Sequence, residues 1–209
     1  MIKTPLKTML GVSIIDVHPK ASGLIFDIDG TLVNTMPAHF KAWQEASSIY
    51  GFEYTEEMFY ETAGMSTKGI VKVLNSRFGY TLCPHNVSAI KEEAYLKRIH
   101  EVSINKSVAE IVYKYHGKLP MALGTGGRRE VALRTIKAVG LDKYFDVLVT
   151  SEDVENHKPE PDTFIKCAQL MGIPPDRCQV FEDAVNGFQA AEKAGMIITD
   201  VRPYLVDSY

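Results

Sequence analysis

The chain has 209 residues, of which 45% are hydrophobic and 23% charged, so it is long enough to bury one core and carry a substantial insert. The formal net charge of -3 and the absence of a basic tract argue against nucleic acid as a partner. The three cysteines, Cys83, Cys167 and Cys178, are odd in number and far apart. They argue against a disulfide framework or a zinc knuckle and favour a reducing cytoplasm.

The first residues weakly resemble an export signal, because Lys3 and Lys7 precede a short apolar run from Met9 to Ile15. Asp16 ends that run and no clear cleavage site follows, so we expect a tail or an edge strand there, or a true start at Met9. No apolar run approaches the length of about 20 residues that a membrane-spanning helix needs. The sequence therefore predicts a cytoplasmic protein without a membrane partner.

The rest of the chain changes its periodicity twice. A buried strand is predicted over residues 23–27, followed by helices over 37–50, 55–63, 66–78 and 86–102 with no strand signal between them. Strands and helices then alternate, and the predicted elements are helix 106–116, strand 119–124, helix 128–139, strand 145–150, helix 161–171, strand 179–182, helix 184–194 and strand 196–201.

This alternation predicts an α/β protein with a Rossmann-like, doubly wound parallel sheet and right-handed crossovers. The uninterrupted helical region predicts a compact inserted helical bundle. We therefore expect a sheet-containing core of residues 1–34 and 103–209 and a helical insert of residues 35–102. In such sheets ligands bind outside the carboxyl ends of the strands, so residues that follow strands are the candidate site residues.

Two pairs of acidic residues follow predicted strands at this edge. Asp27 and Asp29 come after the first strand, with Gly30 permitting a tight turn, and Glu182 and Asp183 come after a later strand. Taken singly, acid pairs are common in loops and at helix N-termini. Placed together at one sheet edge, they predict a metal site to which a side chain and a backbone carbonyl of the first pair contribute.

The same edge carries groups suited to an anion. Thr125, Gly126 and Gly127 follow one strand, where a hydroxyl and N–H groups at a helix start predict a phosphate cradle. Lys158 follows the next strand and is expected to neutralise a phosphate or a carboxylate, although a lysine before proline is more often solvated. Walker, GxGxxG and GxSxG patterns are absent from the sequence.

The segments FDIDGTLVNT, ALGTGG, HKPEPDTF and VFEDAVNG resemble the four motifs of the haloacid-dehalogenase-like hydrolases. The match covers nearly the whole chain from Gly23 onward. Within that superfamily the chain is similar to the beta-phosphoglucomutase-like subgroup, and there to bacterial fructose-1-phosphate and 6-phosphogluconate phosphatases. The resemblance implies a phosphatase that acts on a small phosphorylated sugar through a covalent aspartyl-phosphate.

The resemblance also implies roles for the residues at the strand ends. Asp27 would be the nucleophile, and Asp29 the general acid and then the general base. Thr125 and the two glycines after it would hold the phosphoryl oxygens. Lys158 would steady the nucleophile and offset the phosphate charge.

The cofactor that the resemblance implies is Mg²⁺. Its ligands would be Asp27, the backbone carbonyl of Asp29, Asp183, and Glu182 either directly or through water. Dehalogenases of the superfamily lack the second acid, because a halide leaves without a proton, so Asp29 indicates phosphoryl transfer. Since a general acid is protonated, we expect its acidic neighbours to raise the pKa of Asp29.

The resemblance implies that the helical insert of residues 35–102 is a cap over a catalytic core of residues 1–34 and 103–209. Three residues of this predicted cap are candidates for substrate binding. His39 falls where related mutases carry a hinge histidine, and Lys91 where they keep a lysine for the non-reacting end of the substrate. An exposed helix surface is an equally open alternative for His39, and at least as open for Lys91. Thr67 stands where the mutases have an arginine that grips a second phosphate, and threonine cannot replace its paired donors.

The sequence therefore favours a monomeric phosphatase over its alternative, a beta-phosphoglucomutase that interconverts glucose 1-phosphate and glucose 6-phosphate. An inactive binding relative is a third possibility from another class. It is disfavoured because Asp27, Asp29, Lys158 and Asp183 are all retained.

Overall fold

In a computed structural model of the chain, the structure describes residues 6–7 and 13–205. The strands, in chain order, are β1 Leu6–Lys7, β2 Ser13–Ile14, β3 Gly23–Phe26, β4 Val33–Asn34, β5 Ser103–Ile104, β6 Met121–Gly124, β7 Val147–Val149, β8 Cys178–Glu182 and β9 Ile197–Asp200. The α-helices are α1 Met36–Tyr50, α2 Glu56–Glu61, α3 Thr67–Phe78, α4 Pro84–Lys97, α5 Lys106–Tyr115, α6 Arg129–Ala138, α7 Asp162–Met171 and α8 Val185–Lys193.

Five strands form one parallel sheet in the order β7-β6-β3-β8-β9. The first of them in the chain, β3, lies at the centre, and Phe26 at its end is level with Leu123 of β6 and Phe181 of β8. The loops that follow these strands therefore leave the sheet at one edge. This architecture confirms the predicted α/β fold class.

Both faces of the sheet are covered because its central strands are apolar on both sides. On β3, Leu24 and Phe26 pack in the cluster that includes residues of α5 and α6, whereas Ile25 packs on the opposite side with residues of α7 and α8. Successive side chains of a strand point to opposite faces, so a continuous apolar run is what a doubly covered strand requires. Phe26 also stacks on Phe181, with ring centroids 4.6 Å apart.

The helices α1–α4, called the helical insert below, have an apolar cluster of their own around Trp43 and Leu74. The insert is entered through β4 and left through β5, which pair antiparallel. The sequence did not reveal these strands, because two residues are too few to show a period of two. The helix expected over 86–102 was placed too late, since α4 begins at Pro84 and ends at Lys97, and a short 3₁₀ turn follows.

Near the N-terminus, β1 and β2 form a two-stranded antiparallel pair. Most of the apolar run from Met9 to Ile15 that resembles an export signal lies outside the described residues. Within the described part of the chain, every helix is too short or too polar to cross a bilayer.

Candidate active site

Three buried charged residues meet at the carboxyl edge of the sheet. Lys158 Nζ donates to Asp27 Oδ1 at 2.7 Å and to Glu182 Oε1 at 2.8 Å. The Lys158 side chain has 0% exposure, and its ammonium lies 4.5 Å from the ring centroid of Phe164. The solvated alternative for this lysine is therefore wrong, because a fully buried ammonium is held only where carboxylates pair with it.

Glu182 is fixed by backbone groups as well as by the lysine. Its Oε2 atom accepts hydrogen bonds from the N–H groups of Asp183 and Ala184, both at 2.7 Å. The carboxylate lies beneath the first turn of α8, where a Cβ on Gly187 would overlap it. The glycine of the sequence VFEDAVNG is thus required by the close approach of a side chain.

A third carboxylate completes an acidic cluster. Asp183 Oδ1 accepts a 2.6 Å hydrogen bond from the hydroxyl of Thr31, and oxygens of Asp27, Glu182 and Asp183 lie within 4.8 Å of one another. Burial, and after it the charge of Glu182, raises the pKa of Asp183 to about 8. Burial raises the pKa of Asp27 well above its usual range, despite the opposing charge of Lys158.

The cluster fits a divalent cation. It places three carboxylates against one ammonium, and the charges of neighbouring acids add to burial in raising the pKa values of Asp27 and Asp183. Carboxylate oxygens at this spacing are the ligands of a hard cation such as Mg²⁺ or Ca²⁺. The donor set does not by itself select between these ions.

The second acid of the first pair faces the helical insert instead. Asp29 Oδ1 accepts hydrogen bonds from the Thr35 hydroxyl at 2.8 Å and from His39 Nε2 at 3.0 Å, and Lys91 Nζ lies 2.9 Å from His39 Nδ1. An ammonium can only donate, so Nδ1 accepts and the ring proton is assigned to Nε2, which faces the carboxylate. These contacts make a chain from Lys91 through His39 to Asp29.

The expected rise in the pKa of Asp29 is wrong for this arrangement. Burial does raise the pKa of Asp29, but the contact with His39, the hydrogen bond from Thr35 and the charge of Lys91 outweigh it and lower the pKa to about 2. The sequence places acids directly beside Asp29, whereas the basic groups come from α1 and α4 of the helical insert.

His39 and Lys91 are buried, so the exposed alternatives for both are wrong. The His39 ring stacks on Tyr95 with centroids 3.8 Å apart, and the hydroxyls of Tyr95 and Thr135 are 2.8 Å apart. Burial lowers the pKa of Lys91 to about 8, although Asp29 opposes that shift. Helix α4 thereby brings a buried cation to the acids of the core.

The loop after β6 lies beside the acids and against the helical insert. The N–H of Gly127 donates to Thr125 Oγ1 at 2.9 Å, so this donor is engaged within the loop. A Cβ on Gly127 would lie 3.7 Å from Asp29 Oδ2, and one on Gly126 would overlap the backbone at Gly64. Gly126 is therefore required by the close approach of the chain, whereas a Cβ on Gly127 would make only an ordinary contact with Asp29.

A polar cleft of about 400 Å³ opens beside this loop, between the helical insert and the loops after β6 and β7. Thr67 lines the cleft, as the sequence led us to expect of a substrate-binding residue. Glu92 and Arg128 also line it, and the sequence analysis did not identify either of them as a site residue. Arg128 Nη1 lies 3.0 Å from Glu92 Oε2. The only signal was the position of Arg128 directly after the glycine pair. The full lining is Ser66, Thr67, Lys68, His85, Glu92, Arg128, Ser151, Glu152 and His157.

A family model described as haloacid dehalogenase-like hydrolase matches residues 24–201. The chain belongs to the haloacid dehalogenase-like hydrolase family. It is 39% identical over 186 residues to the fructose-1-phosphate phosphatase YqaB of Escherichia coli K12, covering 89% of this chain and 99% of that protein. It is 30% identical over 185 residues to a phosphorylated carbohydrates phosphatase of Thermotoga maritima, covering 83% and 81% of the two chains.

The fold has solved counterparts. The beta-phosphoglucomutase of Clostridium difficile superposes with a TM-score of 0.75 at 20% sequence identity, over 86% of this chain and 84% of that one. At this level of identity the likeness establishes the fold. The family model and the 39% identical relative confirm the predicted membership of the haloacid-dehalogenase-like superfamily.

Proposed function

We propose that this protein is a Mg²⁺-dependent phosphatase of small sugar phosphates, of the fructose 1-phosphate or 6-phosphogluconate type. The observation that carries the proposal is the buried Asp27–Lys158–Glu182 contact beside Asp183 and Asp29. The names of two related proteins, a fructose-1-phosphate phosphatase and a phosphorylated carbohydrates phosphatase, support it. We further propose a monomeric, cytoplasmic enzyme with a core of residues 1–34 and 103–209 and a cap of residues 35–102.

Asp27 is the proposed nucleophile. Its carboxylate attacks phosphorus and forms an aspartyl-phosphate while the bond to the sugar oxygen breaks, which divides one difficult step into two. Lys158 holds Oδ1 of Asp27 in place at 2.7 Å and places a positive charge where the phosphoryl group arrives. Thr125 and the loop through Gly127 are the proposed contacts of the phosphoryl oxygens.

The metal ligands we propose are Asp27, Asp183, the carbonyl of Asp29, and Glu182 directly or through water. When bound, Mg²⁺ supplies positive charge that reduces the repulsion between a carboxylate and a phosphomonoester dianion. Both oxygens of Glu182 are already engaged, one by Lys158 and the other by backbone N–H groups. A water-mediated contact therefore suits Glu182 better than direct ligation.

Asp29 is the proposed acid and base. Its low pKa suits the second step, in which the carboxylate takes a proton from the water that attacks the aspartyl-phosphate. In the first step the departing sugar oxygen needs a proton. His39 Nε2–H donates to Asp29 Oδ1 at 3.0 Å, and Lys91 Nζ donates to Nδ1 of the same ring at 2.9 Å. A proton that passes from Nε2 to the carboxylate is thus replaced at Nδ1 by one from the Lys91 ammonium, so the ring stays neutral.

Replacing Asp29 with Asn is expected to lower kcat on a sugar phosphate by about 100- to 10,000-fold, the usual worth of acid–base catalysis. With p-nitrophenyl phosphate, whose leaving group needs no proton, the first step should survive. A rapid release of p-nitrophenolate, followed by slow turnover, is then expected in a stopped-flow record. Equal losses of the rapid and the slow phase would contradict the role of Asp29 as the acid.

The alternative is a beta-phosphoglucomutase. A mutase holds a bisphosphate, and Thr67 offers no guanidinium for its second phosphate. Incubation with beta-glucose 1-phosphate and a trace of glucose 1,6-bisphosphate separates the two functions, because only a mutase forms more glucose 6-phosphate than the bisphosphate added.

The proposed function is tested by phosphate release from a panel of phosphorylated sugars, with Mg²⁺ and with a chelator. We expect release from a subset of the panel, and a loss of about 100-fold or more on chelation, because a metal ion contributes several kcal/mol to the stabilisation of transition-state charge. Readdition of Mg²⁺ should restore the rate. Absence of release from every sugar phosphate would refute the phosphatase.

A further inference from the structure

We propose that Glu92 and Glu152 neutralise Arg128 in the cleft beside the phosphate loop, so that the cleft accepts an uncharged polyol and rejects a second anionic group. This inference rests on the proposed phosphatase function and specifies its substrate class. It assigns specificity to residues that neither the sequence motifs nor the proposed chemistry uses.

The position of the cleft makes it the place for the far end of a substrate. Arg128 directly follows Gly127 of the loop after β6, and Glu92 directly follows Lys91 on α4. The cleft residues therefore directly follow, in the chain, Gly127, a proposed contact of the phosphoryl oxygens, and Lys91, a candidate for substrate binding. Its volume of about 400 Å³ suits the carbon chain of a small sugar.

Arg128 is engaged by carboxylates from two sides. Its Nη1 lies 3.0 Å from Glu92 Oε2, and its Nε lies 3.5 Å from Glu152 Oε1. Glu92 lies on the helical insert and its side chain is only 9% exposed, whereas Glu152 belongs to the core loop after β7. One guanidinium therefore meets two carboxylates, and the three groups together carry a formal charge of -1.

Besides Arg128, the lining has three basic residues, Lys68, His157 and the exposed His85. Lys68 is exposed at the start of α3, as Arg128 and Glu152 are, so water and salt screen its charge, whereas the carboxylate of Glu92 is buried. Burial and then the nearby charge of Lys72 lower the pKa of His157, so its ring is neutral at pH 7. The lining is formally uncharged, because the two positive charges of Arg128 and Lys68 equal the two negative charges of Glu92 and Glu152.

Sugar hydroxyls match this lining, and anions do not. A hydroxyl donates to a carboxylate and accepts from a guanidinium, so it can join the Arg128–Glu92 contact without breaking it. A carboxylate or phosphate can only accept. It would compete with Glu92 for Arg128 and face two like charges, which is how interfaces exclude wrong partners.

The proposal predicts different rates for substrates between which the family resemblance does not discriminate. Fructose 1-phosphate presents only hydroxyls at its far end, whereas 6-phosphogluconate presents a carboxylate and a bisphosphate presents a second dianion. We expect the first kind of substrate to be preferred. The same lining disfavours the bisphosphate intermediate that a mutase requires.

The test compares kcat/KM within two matched pairs of substrates. Fructose 1-phosphate is paired with fructose 1,6-bisphosphate, and glucitol 6-phosphate with 6-phosphogluconate, which differs from it by a carboxylate in place of a terminal alcohol. The proteins are the wild type, Glu92→Gln, Arg128→Gln and the control Glu93→Gln. Glu93 neighbours Glu92 on α4, but its side chain is 63% exposed and pairs with Lys97.

The expected preference of the wild type for the uncharged member is about tenfold or more, the effect of about 1.4 kcal/mol. Glu92→Gln should reduce this preference by about tenfold, because it frees the guanidinium for an anion. Arg128→Gln should increase it, because two carboxylates remain without their cation. Glu93→Gln should leave it unchanged.

The ratio within a pair is measured on one preparation, so a partly unfolded variant does not distort it. Equal kcat/KM for both members in the wild type would overturn the inference and leave the phosphatase standing. A preference that both cleft variants leave unchanged would also overturn it. Release from none of the four compounds would remove the inference and count against the proposed function itself.

Discussion

Replacing Asp27 with Asn is expected to lower kcat for phosphate release by about 10,000-fold or more, with the fold intact. An amide cannot form the aspartyl-phosphate, whereas every other group of the site remains in place. Burial raises the pKa of Asp27 well above its usual range, so its ionised form is destabilised in the folded protein. The neutral amide removes that charge, and Lys158 keeps Glu182 as a partner.

The Asp27→Asn variant should therefore unfold at the same denaturant concentration as the wild type, or at a higher one. The measurement is steady-state phosphate release beside a urea unfolding curve followed by circular dichroism. Asp176→Asn, which changes an exposed carboxylate before β8, is the matched control and should keep full activity. A residual activity of Asp27→Asn within tenfold of the wild type would contradict its role as nucleophile.

Replacing Lys158 with Met is expected to lower the free energy of unfolding by about 3–5 kcal/mol, as is typical when one partner of a buried ion pair is removed. The change leaves the carboxylates of Asp27 and Glu182 buried without their shared cation. Turnover should be lost together with stability. Lys193→Met is the control, because Lys193 forms an exposed pair with Glu160 that contributes about 0–1 kcal/mol.

The free energy of unfolding of the Lys158→Met variant should also depend on pH in a specific direction. Lys158 lowers the pKa of Asp27, and its removal raises that pKa further. A carboxyl group whose pKa is higher in the folded state binds more protons when folded. The stability of the variant should therefore fall as the pH rises above about 4, the pKa of unfolded Asp and Glu. A loss below about 1 kcal/mol at pH 7, or stability that rises with pH, would contradict the structure.

The central part of the site was predictable because a parallel sheet converts sequence order into spatial order. The ends of β3, β6 and β8 lie at one edge of the sheet, so Asp27, Thr125 and Glu182 were expected together before any coordinates were known. The fold class followed from the alternation of apolar runs with helical periodicity. Each of these inferences needed only local pattern and a general rule of topology.

Features that depend on packing between the insert and the core were not predictable. The predicted direction of the pKa shift of Asp29 was wrong, because His39 of α1 contacts its carboxylate and Lys91 of α4 contacts His39. The Glu92–Arg128 pair joins residues of α4 and of the loop after β6, and no spacing rule connects them. Charges that are neighbours in the sequence can be read directly from it. Which helices pack over a site depends on tertiary structure, and the sequence pattern does not predict it.

The measurement that tests the account most directly is acid quenching of the enzyme during turnover of fructose 1-phosphate, followed by mass spectrometry of its peptides. Asp29→Asn should be included with p-nitrophenyl phosphate as its substrate, because that leaving group needs no proton and slow hydrolysis of the aspartyl-phosphate then makes the intermediate accumulate. We expect one added phosphoryl group on the peptide that contains Asp27, and none in the Asp27→Asn protein. A phosphoryl group on another residue, or steady release of phosphate with no labelled peptide in either protein, would contradict covalent catalysis by Asp27.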